Sequence, residues 1–316
     1  MKAGLIQAVF ALKALACLQL EPAVTPVVLI SSDEEIGSGD SEKWTRRLSR
    51  RSNRVFVLEP PLGKEGRLKT VRKGAGLFKV TVKGRAAHAG LEPEAGASAI
   101  LELAYVIQKL AALNSPRNGI TVNVGLIQGG LRPNVVAPEA HATVDVRVLR
   151  LKDIEFIQHA IQHLEPETAG VELQVAGRID RAPLEKTPRN IFLWERAQMA
   201  AADLGFELKQ GISGGASDGN ITSLYTATLD GLGAVGDGAH AQHEFVYADR
   251  LPERAALLAL LLLDPPVPEE VLKQGGVQET LPCGDLIGPR GGEADRTAEG
   301  PPHRDLEHHV ERENDE

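Results

Sequence analysis

The chain has 316 residues, of which 42% are hydrophobic, and this is enough for two domains with apolar cores. Its net charge of −8 equals the net charge of residues 266–316, which hold 13 acidic and 5 basic residues, so the rest of the chain is neutral. This neutrality, together with the lack of any apolar stretch of about 20 residues, argues against nucleic-acid binding, membrane binding and membrane spanning.

The first predicted element is a helix close to the N-terminus. Apolar residues at positions 5, 6, 9, 10 and 12 predict a helix face that packs on a sheet. A secretion signal is the less favoured alternative, because Gln7 and Lys13 interrupt the apolar run. The two cysteines, Cys17 and Cys283, have neither a metal-binding nor a redox spacing, so a cytoplasmic location is the simplest expectation.

Carboxylates follow two predicted strands in the first part of the chain. The apolar run Val27–Ile30 predicts a buried strand and is followed by Glu34 and Glu35, whereas Glu59 ends the run 55–58. Catalytic groups of α/β proteins gather at the carboxyl ends of strands. Neighbouring carboxylates repel unless a cation or a proton separates them. The pattern therefore predicts one metal-binding carboxylate and one that handles the proton of a water molecule, with a solvated acidic loop as the alternative.

Residues 72–183 predict an inserted domain of the α+β class. The alternating pattern predicts four strands and two helices, in the order 77–83, helix 97–113, 120–124, 141–148, helix 151–164 and 171–175. This β-α-β-β-α-β order is typical of a ferredoxin-like unit. Its sheet edge is a natural surface for pairing two subunits.

The chain then returns to the first domain, so residues 1–71 and 184–265 are predicted to form one discontinuous catalytic domain. A helix from about 190 to 204 is followed by the glycine-rich segment 214–219, which lacks the ending of a nucleotide-binding loop. The backbone N–H groups of Gly214 and Gly215 are predicted to hold a substrate carboxylate. His240 lies in a second glycine-rich loop and is predicted to be a metal ligand, with a solvated loop residue as the alternative. Residues 266–316 are predicted to be a disordered acidic tail.

These segments resemble, in the same order, the di-zinc peptidases and amidohydrolases that include glutamate carboxypeptidase, aminoacylase, acetylornithine deacetylase and succinyl-diaminopimelate desuccinylase. The resemblance runs from Met1 to about Leu263 and rests on the motifs MKAG, SSDEEIGSG, LEPP, VKGRAAHAG, LRPNVVAPEA with VDVRV, SGGASDGN and GDGAHAQHEFV. It implies an α/β catalytic domain that carries an inserted ferredoxin-like dimerisation domain.

The resemblance also implies the roles of individual residues. Glu34 is implied to be the general base, and the implied metal ligands are Glu35, Glu59 and His240. The implied cofactor is a pair of zinc ions, with cobalt or manganese as alternatives. The implied reaction is hydrolysis of an amide or peptide bond by a metal-activated water, and the implied substrate is a small peptide or an N-acyl amino acid.

Three further residues belong to the inserted domain. His88 is implied to reach, from one subunit of a homodimer, the active site of the other subunit. Asn134 and Arg147 resemble substrate-contact residues of the family. Pairing of Arg147 with Asp145, or with a neighbouring strand, is an equally good structural alternative.

One departure from the family leaves a second function open. Relatives carry a His-x-Asp motif and a bridging aspartate upstream of the segment that matches Met1, and this chain has neither. The alternative interpretation is therefore a catalytically inactive, truncated remnant that acts only as a dimerising or binding protein.

Overall fold

A computed structural model describes residues 2–274 of the protein. The helices are α1 (Lys2–Cys17), α2 (Glu42–Ser49), α3 (Ala99–Ala112), α4 (Lys152–Gln162), α5 (Pro188–Asp203), α6 (Asp218–Thr222), α7 (Leu251–Leu263) and α8 (Glu269–Leu272). The strands are β1 (Arg54–Val57), β2 (Leu68–Arg72), β3 (Gly74–Lys83), β4 (Thr121–Gly129), β5 (Glu139–Val148), β6 (Glu172–Arg181), β7 (Gln210–Ser213), β8 (Ala227–Asp230), β9 (Gly236–Asp237) and β10 (Phe245–Val246). The fold is mixed α/β, as predicted.

The inserted domain is a four-stranded antiparallel sheet with the strand order β4-β5-β3-β6. Along the chain, the four strands of this domain are β3, β4, β5 and β6. Their order in space is therefore second, third, first and fourth, which is the strand order of a ferredoxin-like unit. Residues of β3 alternate between buried and exposed, because successive side chains of a strand point to opposite faces. The buried face packs against α3 and α4, with Phe78 and Ile157 fully buried in the shared core. The predicted ferredoxin-like architecture is therefore confirmed.

The discontinuous domain contains a second four-stranded sheet, in the order β1-β8-β2-β7. The pairs β1–β8 and β2–β7 are parallel, and a single antiparallel pair, Lys69 with Asp230, joins β2 to β8. Helices α5 and α7 cover this sheet and bury Leu193, Leu229 and Leu257 in one apolar cluster. Because residues before and after the inserted domain contribute strands, this sheet exists only when both chain segments are present.

Helix α1 is the helix predicted near the N-terminus, but the face that is buried is not the predicted one. The expected face is exposed, and Val9 and Phe10 keep more than half of their surface open to solvent. The buried side instead presents Gly4, Ala8 and Ala11 toward strand β1 and helix α7. A side chain at Gly4 would meet the carbonyl oxygen of Leu58 at 2.5 Å, so close approach of the backbones selects small residues on this face.

The prediction of a buried strand at Val27–Ile30 is wrong. The segment forms no strand and pairs with none among residues 2–274, and its four side chains are between 43% and 69% exposed. A strand is stabilised by its neighbours rather than by intrinsic preference, and a local apolar run does not supply them.

The discontinuous domain also continues past residue 265, its predicted end. Val267 is buried against α5 and α7, and the side chain of Asn53 pairs with the backbone of Val267 at 3.0 and 2.8 Å. Helix α8 packs on α5 beyond this point. The boundary therefore lies after Leu272, whereas most of the predicted tail, including Cys283, lies outside the described residues.

The two connections to the inserted domain lie side by side. Arg72, at the end of β2, forms a bridge with Leu184, in which each backbone N–H donates to the other residue's carbonyl at 3.0 Å. The predicted domain limits at 72 and 183 fall at this bridge. None of the helices within residues 2–274 has the length and apolar character needed to cross a membrane.

Candidate functional site

The acidic loop that carries Glu34 and Glu35 is built around Asp33. One Asp33 carboxylate oxygen accepts the backbone N–H groups of Asp40 and Ser41 at 2.7 and 3.0 Å. A short 3₁₀ turn, Glu34–Ile36, ends at Gly37 with a φ of +99°, a conformation that glycine adopts without strain. These contacts present the two glutamates from a defined turn rather than from the end of a paired strand.

The loop that carries His240 meets this acidic turn. The loop connects β9 and β10, and His240 itself has a φ of +64°, which is unusual for a residue with a side chain. Its Nε2 lies 3.9 Å from Oε2 of Glu35, and both side chains are more than 70% exposed. The structure therefore brings these two predicted metal ligands together, in an open position.

Glu34 and Glu59 occupy more buried positions, and Glu34 feels the charges of both Glu35 and Glu59. Burial is the main cause that raises the pKa of Glu34 to about 7, and repulsion from Glu59 is the second. The pKa of Glu59 is also raised, by burial and then by Asp230. Glu34 thus lies in the field of other acids, an arrangement that a proton or a cation would stabilise, whereas Glu59 also has the cations Lys69 and Arg72 near it, which lower its pKa.

The number of potential metal ligands in this region is small. Among residues 2–274, no group of three or more His, Cys, Asp and Glu side chains is arranged to hold a metal ion. The pair Glu35–His240 has the carboxylate and imidazole donors that zinc prefers, but catalytic zinc sites use three protein ligands. The described residues thus supply the types of ligand that a zinc site uses, but too few ligands to complete one.

Buried charges next to Glu59 are a feature that the sequence analysis missed. Lys69 and Arg72 lie on the fully buried strand β2, and Arg72 donates to Asp230 at 2.7 Å. The pKa of Lys69 is lowered by burial and then by Arg72, while the acids Asp230 and Glu59 oppose this shift. The sequence carried no clear signal for them, since two basic residues in the short strand Leu68–Arg72 require buried partners only if the strand is buried, and its burial is known only from the structure.

The glycine-rich segment is attached to this buried cluster. Arg72 donates from Nε to the Gly215 carbonyl at 2.9 Å and from Nη2 to the Ala216 carbonyl at 2.8 Å. Gly214 and Gly215 are themselves exposed. Their role in holding a substrate carboxylate stays a prediction. The hydrogen bonds from Arg72 to the carbonyls of Gly215 and Ala216 hold this loop in place.

The remaining predicted site residues lie in the inserted domain. His88 and Asn134 are exposed on adjacent loops, which are joined by a hydrogen bond from the Ala89 N–H to the Asn134 carbonyl at 3.0 Å. Arg147 donates to Asp145 on its own strand at 2.8 Å, which is the structural alternative left open above. The structure thus brings His88 close to Asn134 and gives Arg147 a partner within the domain.

Comparisons with known proteins agree with this architecture. Residues 70–169 match the family model of the peptidase dimerisation domain. Carboxypeptidase G2 from Pseudomonas sp. is 23% identical over 248 residues, which cover 76% of this chain and 59% of that protein. The solved structure of aminopeptidase PepT from Bacillus cereus has a TM-score of 0.68 at 22% identity, covering 83% of this chain and 70% of that one. A dinuclear metal-binding peptidase of the M20 family from Bacillus subtilis has a TM-score of 0.62 at 15% identity, covering 81% and 69%.

The fold and the matched segment define an α/β protein with an inserted peptidase dimerisation domain. The chain is similar in sequence to carboxypeptidase G2 and carries the peptidase dimerisation domain over residues 70–169, which agrees with the family resemblance found in its motifs. It spans 59% of the length of carboxypeptidase G2 and 42% of the acetylornithine deacetylase from Myxococcus xanthus.

Proposed function

We propose that the protein is a hydrolase that cleaves an amide or peptide bond, in the manner of a carboxypeptidase or deacylase. The observation that carries the proposal is the meeting of two loops from distant parts of the chain, with His240 and Glu35 3.9 Å apart beside the half-buried Glu34. The unusual backbone conformation of His240 supports it, because strained residues cluster at functional sites.

Glu34 has the properties that a general base needs at neutral pH. A catalytic base works best when its pKa lies near the working pH, and burial among other acids raises the pKa of Glu34 to about 7. In the proposed reaction, Glu34 takes a proton from the attacking water and returns it to the leaving amine. Its half-buried position restricts competition from bulk solvent for that proton.

The proposed cofactor is zinc, with cobalt or manganese as alternatives, held by Glu35, Glu59 and His240. A metal ion bound there would polarise the amide carbonyl and lower the pKa of a water molecule. Support comes from the donor types and from the repulsion that Glu59 and Glu35 exert on Glu34. Further ligands are needed to complete the site, because the described residues bring only two of these donors into contact range.

The proposed substrate is a small peptide or an N-acyl amino acid with a free carboxylate. The proposed substrate contacts are His88, Asn134, Arg147 and the backbone of Gly214 and Gly215. The proposed assembly is a homodimer formed through the inserted domain, since β4 is an edge strand on which Leu126 and Ile127 are exposed. The proposed location is the cytoplasm, and no nucleic-acid or membrane partner is proposed.

A specific observation favours a second candidate function. The lack of a three-ligand cluster within residues 2–274, and the unpaired apolar segment 27–30, suit a non-catalytic protein that only dimerises or binds. In this alternative, the inserted domain and its edge strand form the binding surface, and the protein needs no metal.

Metal content and hydrolysis, measured on the same preparation, separate the two candidates. Purified full chain is dialysed against zinc-free buffer, its metal content is measured by mass spectrometry, and it is assayed on dipeptides and N-acyl amino acids. Retained zinc that Glu35→Ala releases, with hydrolysis that Glu34→Gln abolishes, supports the hydrolase. A metal-free, inactive chain that still elutes as a dimer supports the binding protein.

A further inference from the structure

One carboxylate joins three separate parts of the molecule. Oδ1 of Asp218, in the first turn of α6, accepts the Ser38 hydroxyl at 2.7 Å and Nη1 of Arg181 at 3.3 Å. Its other oxygen accepts the Ser31 hydroxyl at 3.5 Å. We call Asp218, Ser31, Ser38 and Arg181 the Asp218 junction.

The members of the Asp218 junction come from parts of the chain with different roles. Ser31 and Ser38 flank the acidic turn that carries Glu34 and Glu35, whereas Arg181 is the last residue of β6 in the inserted domain. The Arg181 and Asp218 side chains are only 11% and 18% exposed. A pair of this kind is shielded from solvent, so it is stronger than an ion pair on the surface.

Helix α6 is itself fixed to both connections of the inserted domain. The fully buried Asn220 donates from Nδ2 to the carbonyls of Lys73 and Ala182, at 3.2 and 2.8 Å, and accepts the Ser217 N–H at 2.9 Å. The same turn therefore holds the entry and the exit of the inserted domain together. Any change in the direction of β6 relative to α6 moves Arg181 with respect to Asp218.

Ser38 makes the acidic turn sensitive to its own hydrogen bond with Asp218. It is fully buried and has a φ of +54°, a conformation that costs energy in a residue with a side chain. Its N–H donates to the Asp33 carbonyl at 2.7 Å, so it closes the turn around Glu34 and Glu35. The hydrogen bond to Asp218 is the side-chain contact that offsets this strain.

We propose that Asp218 is a positioning residue that couples the orientation of the inserted domain, through Arg181, to the geometry of the acidic turn, through Ser38. The catalytic meaning of this coupling rests on the proposed hydrolase function. The coupling itself does not, because every contact in the Asp218 junction joins one protein side chain to another.

Hydrogen–deuterium exchange of the full-length chain in chelator-treated buffer tests the coupling. Exchange of residues 31–41 is measured in Asp218→Asn, in Arg181→Gln and in the double variant. Loss of one charge-assisted hydrogen bond is expected to speed exchange of this segment about tenfold in each single variant. The double variant is expected to exchange no faster than Asp218→Asn, because both substitutions break the same contact.

Arg150→Gln is the matched control, since it removes a different Arg–Asp pair of the inserted domain, Arg150 with Asp153 at 2.9 Å. It is expected to leave exchange of residues 31–41 unchanged, and Arg181→Lys is expected to restore most of the protection. Unchanged exchange in Arg181→Gln overturns the proposal, as does an additive effect in the double variant. If Asp218→Asn unfolds, Ser38→Ala takes its place in the same comparison with Arg181→Gln.

The result is independent of the proposed activity. Altered exchange with no hydrolysis in any variant supports the coupling and counts against the hydrolase function. Hydrolysis with unchanged exchange in Arg181→Gln supports the hydrolase and overturns the coupling. Where hydrolysis is present, Asp218→Asn is expected to lower kcat more than it changes KM, since Asp218 acts through the turn that carries Glu34.

Discussion

The buried ion pair between Arg72 and Asp230 gives the most direct prediction of stability. Asp230 is fully buried and accepts Arg72 at 2.7 Å and the Ser217 hydroxyl at 2.6 Å, while the Arg72 side chain is 5% exposed. Asp230→Ala leaves the guanidinium buried without its counter-charge. We expect the free energy of unfolding of the discontinuous domain to fall by about 3–5 kcal/mol. This is a large share of the roughly 5–15 kcal/mol that stabilises a typical domain.

The position of the tryptophans provides a domain-specific assay. The chain has two, Trp44 in α2 and Trp194 in α5, and both belong to the discontinuous domain. Urea unfolding followed by tryptophan fluorescence therefore reports that domain without the inserted one. Glu269→Ala removes the exposed pair with Lys273 and is the control, with an expected loss below about 0.5 kcal/mol.

A double variant separates the effect of charge from the effect of lost packing. Arg72→Met combined with Asp230→Ala removes both charges, so it is expected to be more stable than Asp230→Ala alone. A loss below about 1 kcal/mol in Asp230→Ala would refute the reasoning, because it would mean that solvent compensates the Arg72 charge.

Three further predictions concern single positions. Glu34→Gln is expected to flatten the pH dependence of stability: a raised carboxyl pKa stabilises the fold below about pH 4.5 and this contribution is lost as the pH rises through about 7. With no metal bound, the melting temperature of Glu34→Gln is therefore expected to exceed that of the unsubstituted protein at pH 8, and not to exceed it at pH 4. Gln7→Leu is expected to add about 1 kcal/mol, measured by urea unfolding, because neither polar atom of the buried Gln7 amide has a hydrogen-bond partner among residues 2–274. Phe78→Ala is expected to cost the inserted domain about 3–5 kcal/mol, seen in the far-ultraviolet circular dichroism transition and not in the tryptophan transition.

The inserted domain was predictable because its signals are local. The alternation in β3 and the periodicity of α3 report burial of one face, and neither depends on residues outside the domain. The order of the elements then restricts the topology to a ferredoxin-like sheet. The discontinuous domain is different, since β2 pairs with β7 and β8 from beyond the insertion, and no local pattern encodes those pairings.

The candidate site was predictable in its residue types and less so in its contacts. The motifs identified Glu34, Glu35 and His240, whose loops do meet in the structure. They did not indicate the buried pair Arg72–Asp230, because a charged residue in a short strand is also compatible with an exposed edge. The segment 27–30 shows the opposite failure, in which a strong strand pattern is not matched by a pairing partner within the described residues.

The bridge between Arg72 and Leu184 limits the effect that the length of the inserted domain has on the rest of the fold. The entropy cost of closing a loop rises only with the logarithm of its length, and here two backbone hydrogen bonds already hold the ends together. The number of residues between these positions therefore has little effect on the stability of the surrounding sheet. A short turn placed between the same two residues is therefore expected to leave the surrounding sheet folded, although it removes the contact of Arg181 with Asp218.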